Sequence, residues 1–135
     1  MKSVSRSELI LFALIVVYSF VPAVGGLLRV LELVGGPAII PENPRALSTP
    51  FPITLHILTS FLFCIAGALQ FLPSIRRHHP ATHRVIGRTV VLAGCLAAAS
   101  GLWMTHIYVF PAELQGNLLY WVRMVLGSLM IGFIV

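Results

Sequence analysis

Charge is scarce in this chain: four Asp or Glu and nine Lys or Arg among 135 residues, 10% in all. A water-soluble domain of this length needs far more charge to cover its outside, so that class is excluded. The formal net charge of +5 raises nucleic acid as a partner. The basic residues, however, fall in short segments beside apolar runs, as in the loops of membrane proteins, and a nucleic-acid partner is set aside. Cysteine is scarce too. Cys64 and Cys95 lie inside apolar runs with no CxxC spacing, which argues against a disulfide framework or a thiolate metal site. Short segments of alternating polarity are missing, which excludes a membrane barrel, and no internal repeat is found.

What the chain has is hydrophobic length. Mean hydropathy is +0.96, and four apolar runs cover about residues 9–34, 53–75, 85–109 and 118–135. Lipid cannot satisfy free backbone groups, so the runs predict an all-α integral membrane helical bundle with four transmembrane helices, forming one domain over residues 1–135. The first run is too long for a signal h-region and reads as a retained span. Pro22 and Gly25-Gly26 in its second half predict a kink or a close neighbour contact, and Gly35-Gly36-Pro37 marks its end. Five prolines, at 37, 41, 44, 50 and 52, read residues 37–52 as an outer loop without regular helix. A basic, histidine-rich loop follows at residues 76–84, Phe110-Pro111 is a stop signal, and residues 112–117 form a short outer turn. The fourth run has no polar flank at Val135, so the natural protein is expected to continue.

Orientation follows from counting Lys and Arg in short loops. Lys2 and Arg6, then Arg76, Arg77, Arg84 and Arg88, outweigh Arg29 and Arg45 on the other side. The N-terminus and the histidine-rich loop are therefore expected in the cytoplasm. Trp103, Tyr108, Tyr120 and Trp121 gather near the opposite helix ends as an aromatic belt.

Two histidines inside the runs, His56 and His106, are expected at a similar depth in the outer half, on consecutive antiparallel helices. Neutral imidazoles so placed suit a b-type haem, and the same depth suits a quinone head group. His56, Ser60, Phe63, Gly67 and Gln70 share one stripe of the second helix. Gly87, Val91, Gly94, Ala98, Gly101 and Thr105 share one stripe of the third, and His106 lies about 100° off it. Such a small-residue stripe admits a second backbone or leaves room for a flat macrocycle. Arg123, one to two turns into the fourth helix, is the expected charge partner of a haem propionate, a quinone oxygen or an anionic lipid, and Arg29 and Glu32 either extend this layer or pair with each other. Structural roles stand beside these: interfacial hydrogen bonds for the histidines, a helix-to-helix bond for Gln70, snorkelling for Arg123. His78, His79 and His83 have no neighbouring Asp, Glu or Cys and would make a weak metal site.

Four segments carry a family resemblance: His56-Ile57; Gly67 to Pro73, with the pattern G-x-x-Q-F-x-P; His83 to Arg88, with H-R-x-x-G-R; and Ser100 to Met104. Together they resemble the bacterial predicted membrane proteins grouped as domain of unknown function 2306. The resemblance implies a multi-span inner-membrane protein that continues past a fourth helix, and it confers no activity. It implies a polar pattern of His56, Gln70, His83, Arg84, Arg88 and Arg123, with Arg84 and Arg88 able to meet phosphate head groups alongside Arg76 and Arg77. The expected function is redox support through haem b or quinone, with cofactor-binding residues His56, His106, Arg123 and Gln70. The rival is an accessory or assembly subunit of a larger membrane complex, and a transporter ranks third.

Overall fold

The computed structural model describes residues 5–110 and 116–134. Lys2, the proposed stop at Pro111, most of the turn after it and Val135 lie outside the described residues. Every regular element described is helical: α1 (Arg6–Leu33), α2 (Pro44–Ser48), α3 (Pro50–Gln70), α4 (Pro73–His78), α5 (Pro80–Ile107) and α6 (Asn117–Ile134). Helices α1, α3, α5 and α6 are each long and apolar enough to cross a membrane. The chain is thus an all-α, multi-pass membrane protein.

Four helices begin on a proline: Pro44, Pro50, Pro73 and Pro80. At the first helical position the missing N–H is an orphan in any case, and the fixed φ suits the helix. This corrects two expectations. Residues 37–52 are not loop throughout, because α2 and the first turn of α3 fall there. Residues 76–84 are not a loop either, since α4 and the start of α5 occupy them around the break at His79. The third spanning helix accordingly starts at Pro80, five residues before the expected Val85.

Helix α1 is closed at both ends by local chemistry. Ser5 Oγ accepts from the Glu8 amide at 3.3 Å, and the Glu8 carboxylate accepts from the Ser5 amide at 2.7 Å, a capping box. At the other end the Gly36 amide donates to Leu31 O at 2.9 Å and the Gly35 amide to Glu32 O at 3.0 Å. This Schellman closure needs Gly35 at its φ of +93°, a region that glycine reaches at low cost. The expected close contact in the second half of α1 falls at Gly26: a Cβ there would come within 2.9 Å of Ile57 Cγ2.

The spanning helices stand in file. Helix α1 packs on α3, α3 packs most extensively on α5, and α5 also carries α6. Most of the buried interior lies along the α3–α5 seam and is built from small side chains, among them Ala66, Ala68, Ala93, Ala97, Ala98 and Ser100. Within lipid the tails are as apolar as the side chains, so helices associate by close packing and polar contacts, which small residues permit.

Two polar ties fix which ends lie together. The second Glu8 oxygen accepts from the Ser74 amide of α4 at 3.0 Å, joining the start of α1 to the arginine-rich end of the bundle. At the proline-rich end, Tyr108 donates to Thr49 O at 2.6 Å, and Phe51 and Trp103 meet with ring centroids 5.8 Å apart. Arg29, buried near the end of α1, pairs with Glu32 and donates to Pro41 O. Of the two roles expected for that pair, mutual pairing is the one observed.

Candidate functional site

The α3–α5 seam is an antiparallel ladder with a seven-residue step. Gln70, Phe63 and His56 of α3 lie over Gly87, Gly94 and Gly101 of α5 respectively. At Gly94 a Cβ would come within 2.8 Å of Phe63 Cε2 and within 2.7 Å of Ile134 Cδ1, so that glycine is required for close approach from two sides. At Gly87 and Gly101 the nearest partner atoms stand at 3.5 Å (Gln70 Oε1) and 3.4 Å (His56 Cε1), ordinary contact. The two stripes read from residue spacing therefore face each other, with large side chains on one helix seated in the gaps of the other.

His56 is half-buried at the top of this ladder. Its Nδ1 lies 2.8 Å from Ala97 O and 3.3 Å from Ser100 Oγ. A carbonyl can only accept, so Nδ1 carries the proton and donates to it. The Ser100 hydroxyl has its own acceptors, Leu96 O at 2.7 Å and Ala97 O at 3.0 Å. In the neutral form Nε2 then presents a lone pair, and it makes no hydrogen bond to the described residues.

Two clefts meet at His56. One, of about 150 Å3, lies between α1 and α3 and is lined by Ser19, Pro22 and Ala23 on one side and His56, Ser60 and Cys64 on the other. The second, of about 390 Å3, lies among α3, α5 and α6; its polar lining comes from His56, Ser60, Thr105 and Arg123, and its walls from residues such as Gly101 and Leu126. That volume falls in the range of small-molecule sites, and both clefts are mostly apolar with few polar groups. Gly101 lies under His56 and the next residue, Leu102, lies against Gly127, so Arg123, four residues before Gly127, sits about 6 Å nearer the proline-rich end than His56. The Arg123 guanidinium stacks 4.4 Å from the Phe110 ring centroid, and Arg45 approaches the same ring at 5.2 Å. Phe110 is thus a platform for two cations, a role that residue spacing alone does not reveal.

The other candidates sit elsewhere. His106 is exposed near the last turn of α5, with Nδ1 3.2 Å from Tyr120 Oη. It lies five residues beyond Gly101, the partner of His56, and so about 7.5 Å nearer the helix end. The structure does not bring the two imidazoles to one level or into one cleft; the 100° offset and this axial step separate them. Gln70 is at the opposite end of the seam, where its Nε2 donates to His83 O at 3.1 Å, a bond between helices. His83 Nδ1 is buried without a hydrogen-bond partner among the described residues. Arg76, Arg77, Arg84 and Arg88 are all exposed at that arginine-rich end. Among the described residues, no three His, Cys, Asp or Glu side chains group in a way that could hold a metal ion, and Cys64 and Cys95 are free thiols.

No curated protein and no solved structure matches the chain. A family model described as a predicted membrane protein, DUF2306, matches residues 53–135, which run from the first turn of α3 through α6. That match includes the whole glycine ladder, His56 and Arg123, and spans more than half of the chain, which therefore belongs to the DUF2306 family of predicted membrane proteins.

Proposed function

We propose that this chain binds a quinone-class lipid in the cleft among α3, α5 and α6, with His56 and Arg123 as its polar contacts, and so serves membrane redox chemistry. The observation that carries this reading is the fixed His56 ring: Ala97 O holds the proton on Nδ1, leaving Nε2 as an acceptor inside an apolar cleft that Arg123 also lines. An acceptor and, about one turn nearer the proline-rich end, a cation suit the two opposed ring oxygens of a quinol, one hydroxyl donating to Nε2 and the other oxygen accepting from the guanidinium, while an apolar wall suits the ring face and tail. A bis-histidine haem b is the less favoured cofactor, because His106 does not line this cleft. Gln70 serves the helix seam in this reading and not the ligand.

The setting we infer is the bacterial inner membrane, with one multi-pass domain and the N-terminus on the cytoplasmic side. The excess of arginine at the end that holds Arg76, Arg77, Arg84 and Arg88 supports that orientation.

The test is titration of the full chain in lipid nanodiscs with a short-chain benzoquinol. Binding is expected to weaken about fivefold in His56→Ala, the worth of one neutral hydrogen bond, and at least about tenfold in Arg123→Met, the worth of one to a charged group. His106→Ala is expected to bind as the parent does. Equal binding by all three variants overturns the proposal, and a Soret band lost in His56→Ala moves the assignment to haem.

A second reading, an accessory subunit, is favoured by the two edge helices. The most apolar stretches of α1 and α6 are unburied within the chain, which leaves them open to partner helices. Co-purification with a larger membrane complex, together with unchanged complex stability in His56→Ala, distinguishes it.

A further inference from the structure

A third cavity lies at the other end of the molecule, away from His56 and Arg123. It is an open groove of about 530 Å3 along one stripe of α5, lined by Arg84, Gly87, Arg88, Val91, Leu92 and Cys95. The two arginines are one turn apart and exposed. Below them Val91 and Leu92 are exposed and apolar, in a helix that crosses the bilayer. The groove therefore changes from cationic to apolar over about 10 Å along the helix axis, as a phospholipid changes from phosphate to acyl chain.

The charge balance at this end narrows the occupant. Arg6, Arg76, Arg77, Arg84 and Arg88 gather there, and the acidic group among the described residues of that end is Glu8. Its carboxylate is already held by the Ser5 and Ser74 amides. The guanidiniums of the groove thus face no competing carboxylate, and a planar fork of donors fits a phosphodiester oxygen pair.

We propose that this groove is a specific site for one anionic phospholipid, its phosphodiester between Arg84 and Arg88 and one acyl chain along Val91 and Leu92. The site is separate from the quinone cleft and does not depend on it. A hydrogen bond from one guanidinium to the phosphodiester contributes roughly fivefold at an exposed site, so two contribute about 25-fold.

Native mass spectrometry of the full chain, released from phosphatidylcholine nanodiscs and titrated with phosphatidylglycerol, tests this. One tightly held phosphatidylglycerol per chain is expected, its affinity falling about 25-fold in Arg84→Gln/Arg88→Gln, which removes two direct hydrogen bonds, and less than about fivefold in Arg76→Gln/Arg77→Gln, whose side chains do not line the groove. Should the first double variant fail to fold, Val91→Trp, which fills the acyl track and keeps both arginines, is expected to show the loss. Equal losses in both double variants mean bulk charge attraction and overturn the site. Displacement of the lipid by millimolar inorganic phosphate also overturns it, since the groove would then recognise the phosphate alone. Efficient cross-linking of Cys95 between two chains in the membrane overturns it as well, by showing the groove covered by a second copy.

Discussion

His56 of α3 donates from Nδ1 to the main-chain carbonyl of Ala97 on α5, at 2.8 Å, across the one well-buried seam of the molecule. That carbonyl also belongs to the hydrogen-bond ladder of its own helix, so the imidazole bridges two spans and has its tautomer set by backbone. Replacing His56 by Phe keeps the bulk over Gly101 but removes the donor. The expected loss is about 1 kcal/mol, the net worth of a hydrogen bond, read as a lowered thermal midpoint of the full chain in detergent. Ser100→Ala, which leaves the Ala97 contact in place, is expected to cost less.

The ladder makes the glycines of the chain unequal. Gly94→Ala places a Cβ within 3 Å of both Phe63 and Ile134 and is expected to destabilise by about 1–3 kcal/mol through overpacking. Gly67→Ala, on the opposing helix with nothing within 4 Å, is expected to be neutral or to stabilise by up to about 1 kcal/mol through better helix propensity. Denaturation of the two variants in the same micelle checks the contrast, and equal effects would count against the seam.

Arg29 and Glu32 form a pair whose side chains are only 9% and 8% exposed. Removing either partner alone strands a charge in a poorly solvated place, so Glu32→Gln and Arg29→Met are each expected to cost about 3–5 kcal/mol. The double variant is expected to recover most of that loss. A double-mutant cycle by thermal or chemical unfolding measures the coupling.

Glu8 ties α1 to α4 by accepting from the Ser74 amide at 3.0 Å. In Glu8→Ala the exchange of the Ser74 amide with deuterium is expected to accelerate, together with the first-turn amides of α1 that the capping box protects. Acceleration confined to α1 would mean that the inter-helix tie contributes nothing.

The features visible in the residue string are those with a helical period. The His56–Phe63–Gln70 stripe and the Gly87–Gly94–Gly101 stripe follow from spacing, and their mutual contact follows from a short connection between antiparallel spans. The 100° offset of His106 was equally visible, and it is part of why the two histidines part company. What spacing could not supply is long-range. Glu8 and Ser74 are 66 residues apart, and the meeting of Arg45 and Arg123 on Phe110 depends on how α2 and α6 approach the end of α5. The prolines misled for a physical reason: their helix-breaking character holds for interior positions, whereas Pro44, Pro50, Pro73 and Pro80 each occupy a first turn where nothing is broken.

Because the spans stand in file, α1 and α6 flank the seam without closing around it, and each presents bulky side chains such as Tyr18, Phe20, Val125 and Phe133 to its surroundings. A molecule so shaped borrows part of its solvation shell from whatever surrounds it. Its melting behaviour should consequently follow the thickness and chemistry of the host micelle or bilayer more closely than that of a closed bundle, and thin, short-tailed detergents should loosen the outer rods before they disturb the central pair.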